Sequence, residues 1–224
     1  MKNLFTIICF MSITVASQAQ SAKFNDAMTK ALAEMDTLKT GDQFMAMSNK
    51  FERIALAEKN QWLPYYYAAL SRVTATYIYN EPAKNDVILD VAEKYINVAD
   101  SLMPNNSEIY VVKSMILGGR IMVDPMTRGQ MYGMQSMMHL SKAMTLDPEN
   151  PRSYYVMGLS LFYTPPQFGG GQDKGCEMLN TAKAKYATFK PASDLHPSWG
   201  ENQVDETLKQ CTHLQHLPAV ATIN

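Results

Sequence analysis

A period of 44 residues constrains this chain more than any other feature. Ala55, Ala99, Ala143 and Ala187 stand at that step, and so do Tyr66, Tyr110 and Tyr154. Phe51 and Tyr95, Leu102 and Leu146, Pro104 and Pro148, and Asn106 and Asn150 keep the same spacing. Several residue types repeating in one phase indicate a supersecondary unit stacked on its neighbours. Stacked units hold partners on extended surfaces, so binding is the expected function.

The unit is helical. Phe24, Met28, Ala31, Met35 and Leu38 share one helical face over 22–39, with Ser21 as N-cap and Gly41 as stop. Phe44, Met47, Phe51, Ile54 and Ala55 do the same over 42–58, and a third helix follows Pro64. The pattern recurs at 86–103, 107–122, 129–146, 151–163 and 172–188, and a last helix is expected over 198–214. No segment alternates with period two for long enough to suggest a strand. The expected fold is all-α, with about nine antiparallel helices and no sheet.

Before the first helix, Lys2, the apolar run Leu4 to Val15 and Ser17-Gln18-Ala19 have the layout of a secretory signal peptide cleaved near Ala19-Gln20. Its Ser-Gln-Ala-Gln ending resembles signal sequences of Bacteroidota. Cys9 lies inside the apolar run after Ile8, which does not fit a lipid-modified cysteine. No later stretch is apolar for about 18 residues, so a periplasmic or secreted protein without a transmembrane segment is expected. The formal net charge of −1 gives no basic footprint for nucleic acid. Cys176 and Cys211 remain after cleavage, and an oxidising compartment permits a disulfide between them. The sequence leaves that bond open beside two buried or half-buried thiols, because bridging needs Cα atoms within about 7 Å.

Ser136, Leu140, Ala143, Leu146-Asp147-Pro148, Asn150, Tyr154 and Gly158 resemble tetratricopeptide repeat (TPR) positions. Ala92, Ile96, Ala99, Pro104, Tyr110 and Ser114 match in the copy before, while Ser48, Ala55, Asn60 and Tyr66 match more weakly. The resemblance implies a TPR-like superhelix. Its domain would span 20–217, with units at about 22–60, 61–104, 105–148 and 149–192, a capping helix at 198–214 and a flexible tail over 218–224. A TPR unit has about 34 residues. The surplus falls at 80–85, 124–129 and 164–171, where Pro and Gly predict loops along one edge. Pro82, Pro125, Arg128, Phe168, Gly169 and Gly170 are the candidate binding residues of those loops. Pro165 to Gly170 also looks like a Pro-x-x-aromatic-Gly-Gly turn of some bacterial TPR lineages. Carried over position by position, the resemblance places Tyr67, Ser71, Val111, Met115, Arg152, Tyr155, Leu159 and Phe162 in a groove lined by the first helix of each pair. The function it implies is a non-enzymatic scaffold for a protein or peptide partner.

Three patterns invite other chemistry. Gly169-Gly170-Gly171-Gln172-Asp173-Lys174-Gly175 lacks the ending of a phosphate loop and follows a helix, so it reads as a chain reversal. Met131, Met134 and Met138 form a stripe at i, i+3 and i+7, which reads as core packing with Met as a flexible filler. The rival reading takes Met131, Met134, Met137 and Met138, next to His139, which resemble the Met-x-x-Met segments with which periplasmic copper proteins bind Cu(I), a soft ion suited to thioethers. Cys211, His213 and His216 do not share one helical face, so no metal site is expected there. No nucleophile elbow, His-Glu-x-x-His helix or paired carboxylates in apolar surroundings is present, and neither an enzyme nor a cofactor is expected. The rivals to a protein scaffold are a periplasmic small-ligand or Cu(I)-handling protein serving a transporter, and an accessory subunit of an envelope enzyme.

Overall fold

The computed structural model describes residues 22–215, with side chains to Cys211. The expected signal peptide, the Ser21 cap, His216 and the tail lie outside the described residues. Among the described residues nine α-helices and no strand are present. They are α1 (22–35), α2 (Gly41–Ala57), α3 (Trp62–Tyr79), α4 (Pro82–Leu102), α5 (Ser107–Ile121), α6 (Pro125–Leu146), α7 (Pro151–Tyr163), α8 (Gln172–Tyr186) and α9 (Glu201–Gln215). None of these helices is long and apolar enough to cross a membrane.

Consecutive helices pack as pairs: α2 on α3, α3 on α4, α5 on α6, and α7 on α8. The helices α3, α5 and α7 also touch in succession, forming one layer of a stack. The repeated residues explain the joints. Ala55, Ala99 and Ala143 are fully buried, whereas the fourth alanine, Ala187, is exposed beyond the end of α8. Asn106 and Asn150 are N-caps, accepting from the backbone N–H groups of Glu108 and Arg152. Ser48, Ala92 and Ser136, also 44 apart, are buried small residues that let helices approach. The Ser48 hydroxyl donates to the Ala68 carbonyl at 2.9 Å, and Ser136 shares a 2.7 Å bond with Ser114. Gly175 serves the same end between α7 and α8, since a Cβ there would lie 2.6 Å from the Phe162 Cα.

Two of the three expected loops are helix instead. Residues 82–85 open α4 and residues 125–129 open α6, so Pro82, Pro125 and Arg128 are helical. Proline read as a breaker is here the first helical residue, where its missing N–H costs nothing and its fixed φ suits the helix. Asp124 caps α6 by accepting from the Thr127 N–H at 3.1 Å. The surplus over a short repeat thus lengthens α4 to 21 residues and α6 to 22. Only the third insertion is a loop, with a 3-10 turn at Pro166–Phe168 before Gly169 and Gly170.

The helix expected over 172–188 ends at Tyr186, and the next begins at Glu201. Residues 187–200 between them form an irregular strap. A disulfide joins Cys176 on α8 to Cys211 on α9, with Cα atoms 5.9 Å apart, and so spans the strap. Closing a loop of 35 residues stabilises a fold by roughly 4 kcal/mol in the chain-entropy account.

Candidate functional site

The layer of α3, α5 and α7 carries the residues expected to line a groove. Tyr67, Ser71, Val111, Arg152, Tyr155 and Phe162 are buried, and Met115 and Leu159 are half-buried. The strap supplies much of what covers them. The Tyr67 hydroxyl donates to the Leu195 carbonyl at 3.0 Å, and Trp199 Nε1 donates to the Tyr66 hydroxyl at 2.9 Å. Tyr186 donates to the Trp199 carbonyl at 2.8 Å, and His196 packs edge-on against Trp62. Gly200, at φ +110°, turns the strap into α9 where a Cβ would lie 2.0 Å from the Tyr186 oxygen.

Under the strap lies a buried ion pair. Arg152 Nε is 2.9 and 2.8 Å from the two Glu108 oxygens, and Nη2 is 2.6 Å from Oε1. The Phe189 ring centroid lies 4.4 Å from the guanidinium carbon, and Nη1 has no hydrogen-bond partner among the described residues. Burial alone would lower the Arg152 pKa, but Glu108 raises it further, so the guanidinium stays charged. Burial pushes Tyr155 up to about 12 and Tyr66 well above its ordinary value. These groups are neutral phenols and a neutralised pair, arranged to join helices and strap.

The edge residues have separate fates. Arg128 Nη1 bonds Asp86 at 2.8 Å, and that contact, with burial opposing and Arg120 helping, holds the Asp86 carboxyl below its usual range. Phe168 is exposed on the third loop, beside exposed Gly169, while Gly170 is buried.

The methionine stripe is not core. Met131, Met134 and Met138 are 50, 62 and 69 % exposed, because α6 turns Ser136, Leu140 and Ala143 inward instead. With Thr127, Gln130 and Gln135 they line a groove of about 310 Å³.

A larger cleft of about 790 Å³ lies between α1 and α2. Phe24, Ala27, Ile54 and Ala57 give it an apolar floor, and four cations, Lys23, Lys30, Lys50 and Arg53, stand on its rim with the carboxylates of Asp26 and Glu58. Lys30 pairs with Asp26 and Lys50 with Glu34. Lys23 and Arg53 take no ion pair among the described residues. Phe24, 8 % exposed in the core, and Ile54 beside it do pack as their helical spacing predicts, but that spacing does not reveal the cleft they also floor. Its signal was a cation immediately before each of them, in Lys23-Phe24 and Arg53-Ile54.

Among the described residues, the chain is an all-α stack of helix pairs with a largely covered inner layer and open clefts on its outside. No protein-family model matches the chain, so the TPR resemblance rests on its residue pattern, and no curated protein matches either. Among solved structures, the HusA haemophore from Porphyromonas gingivalis matches with a TM-score of 0.78 and 31 % identity. The match covers 88 % of this chain and 96 % of that one. The chain belongs to the family of that haemophore.

Proposed function

We propose that this protein is an exported binder of haem-type tetrapyrroles, and that the cleft between α1 and α2 takes the ligand. The observation that carries the reading is the match in its lining. A porphyrin offers two flat apolar faces and two carboxylate arms. The cleft offers an apolar floor and two cations, Lys23 and Arg53, without an ion pair among the described residues. Its volume of about 790 Å³ suits a ligand of that class, since small-molecule sites run from about 300 to 1,000 Å³. Membership in the family of a haemophore supports the same ligand class, and the leader expected over 1–19 supports export.

Among the described residues, the cleft lining contains no His, Met, Cys or Tyr. The usual protein ligands to haem iron are those side chains. Recognition here therefore addresses the macrocycle and its carboxylates and leaves the iron unligated. The peptide-scaffold reading is weaker, because residues 187–200 already cover much of the layer where a peptide would dock.

Titration of the mature protein with haemin and with metal-free protoporphyrin, followed by absorbance, tests this. Both ligands should saturate one site with affinities within about tenfold. The double variant Lys23→Ala, Arg53→Ala should lose at least tenfold for both. Failure of either ligand to saturate overturns the tetrapyrrole reading. Unchanged affinity in the double variant overturns the cleft as its location.

A further inference from the structure

Helix α6 turns an unusual surface to solvent. Apart from Pro125, every exposed apolar side chain on it is a methionine: Met126, Met131, Met134 and Met138. An apolar docking face could equally be built from Leu, Ile or Val, and none of these is exposed on α6. What a thioether adds is a polarizable sulfur lone pair.

Met131, Met134 and Met138 line one concavity of about 310 Å³. On an α-helix their Cα atoms rise by about 4.5 and about 6 Å along one face, within the reach of three flexible side chains. Among the described residues the groove holds no carboxylate and no imidazole, only the amides of Gln130 and Gln135 and the hydroxyl of Thr127 beside the sulfurs. Calcium, magnesium and zinc therefore find none of their usual charged or nitrogen ligands there. His139 is turned away against the Tyr110 ring, and both remaining cysteines are closed in a disulfide.

The geometry points to a Cu(I) site formed by the thioethers of Met131, Met134 and Met138. A soft, singly charged ion is the match for neutral sulfur donors, and its binding here displaces no proton. This site is separate from the cleft between α1 and α2 and does not depend on the tetrapyrrole reading.

Anaerobic titration of the mature protein with Cu(I) against a chromophoric Cu(I) chelator is the test. One equivalent should be withheld from the chelator. The triple variant Met131→Leu, Met134→Leu, Met138→Leu keeps the apolar volume, and should lose at least tenfold in affinity while its haemin titration is unchanged. No retention by the natural sequence, or equal retention by the triple variant, overturns the site. If the triple variant does not fold, Ag(I) added to the natural protein should shift the methyl resonances of these three methionines first. Shifts confined to other methionines, or no shifts, overturn it equally. An apolar partner on this face predicts that outcome.

Discussion

Arg152 and Glu108 stand one repeat apart and face each other across α7 and α5, so the 44-residue period is written into a charge pair. The guanidinium is fully buried and the carboxylate 13 % exposed. Removing the carboxylate strands the cation. Glu108→Gln should cost about 3–5 kcal/mol, as for other broken buried pairs. Glu108→Gln with Arg152→Met should recover part of that loss. Urea denaturation of the three proteins measures it, and a loss under about 1 kcal/mol in the single variant would show that the pair is not needed to hold α5 and α7 together.

Reduction of Cys176–Cys211 frees the unfolded chain from a closed loop. Cys176→Ser with Cys211→Ser should lower stability by about 2–4 kcal/mol. Thermal unfolding with and without reductant should show the same difference in the natural protein and none in the double variant. Thiol labelling of the native protein in the absence of reductant should find neither cysteine.

Gly200→Ala places a Cβ against the Tyr186 oxygen in a backbone conformation that L side chains rarely adopt. The strap and the start of α9 should loosen together. Proteolysis between 187 and 201 should accelerate, while the helices before α8 keep their protection in hydrogen exchange. Equal loss of protection throughout would mean that the strap is not an independent unit.

Burial lowers the His196 pKa, with Glu108 partly offsetting it. The folded state therefore favours neutral imidazole, and protonation works against it. This contribution is fully present above the unfolded value of about 6.5, and is lost as pH falls through the lower folded value. Stability should decline as pH falls below about 6.5, and His196→Gln should reduce that decline. Thermal midpoints against pH read this directly. An unchanged slope in the variant would assign the decline to other groups.

The period made the helices and their joints legible, since Ala55, Ala99 and Ala143 are buried and Asn106 and Asn150 cap helices. It did not place the ends of α4 and α6, because a proline signals both a helix stop and a helix start. It did not settle which face of α6 is buried either. Two stripes compete there, Met131, Met134 and Met138 against Ser136, Leu140 and Ala143, and packing chose the one with small residues. The covering of the inner layer depends on contacts such as Trp199 to Tyr66, 133 residues apart, which no local pattern encodes. The candidate ligand cleft was hidden for a related reason: Phe24 and Ile54 fit a packing face and a cleft floor equally well.

The bond between Cys176 and Cys211 also has a topological result. A cut at any peptide bond between the two cysteines leaves a single covalent molecule, with α9 still tied to α8. The aromatic plug formed by Phe189 and Trp199 then stays at high local concentration over Arg152, and can reseat after damage. The inner layer of this scaffold is thus closed by a tethered part that survives nicking.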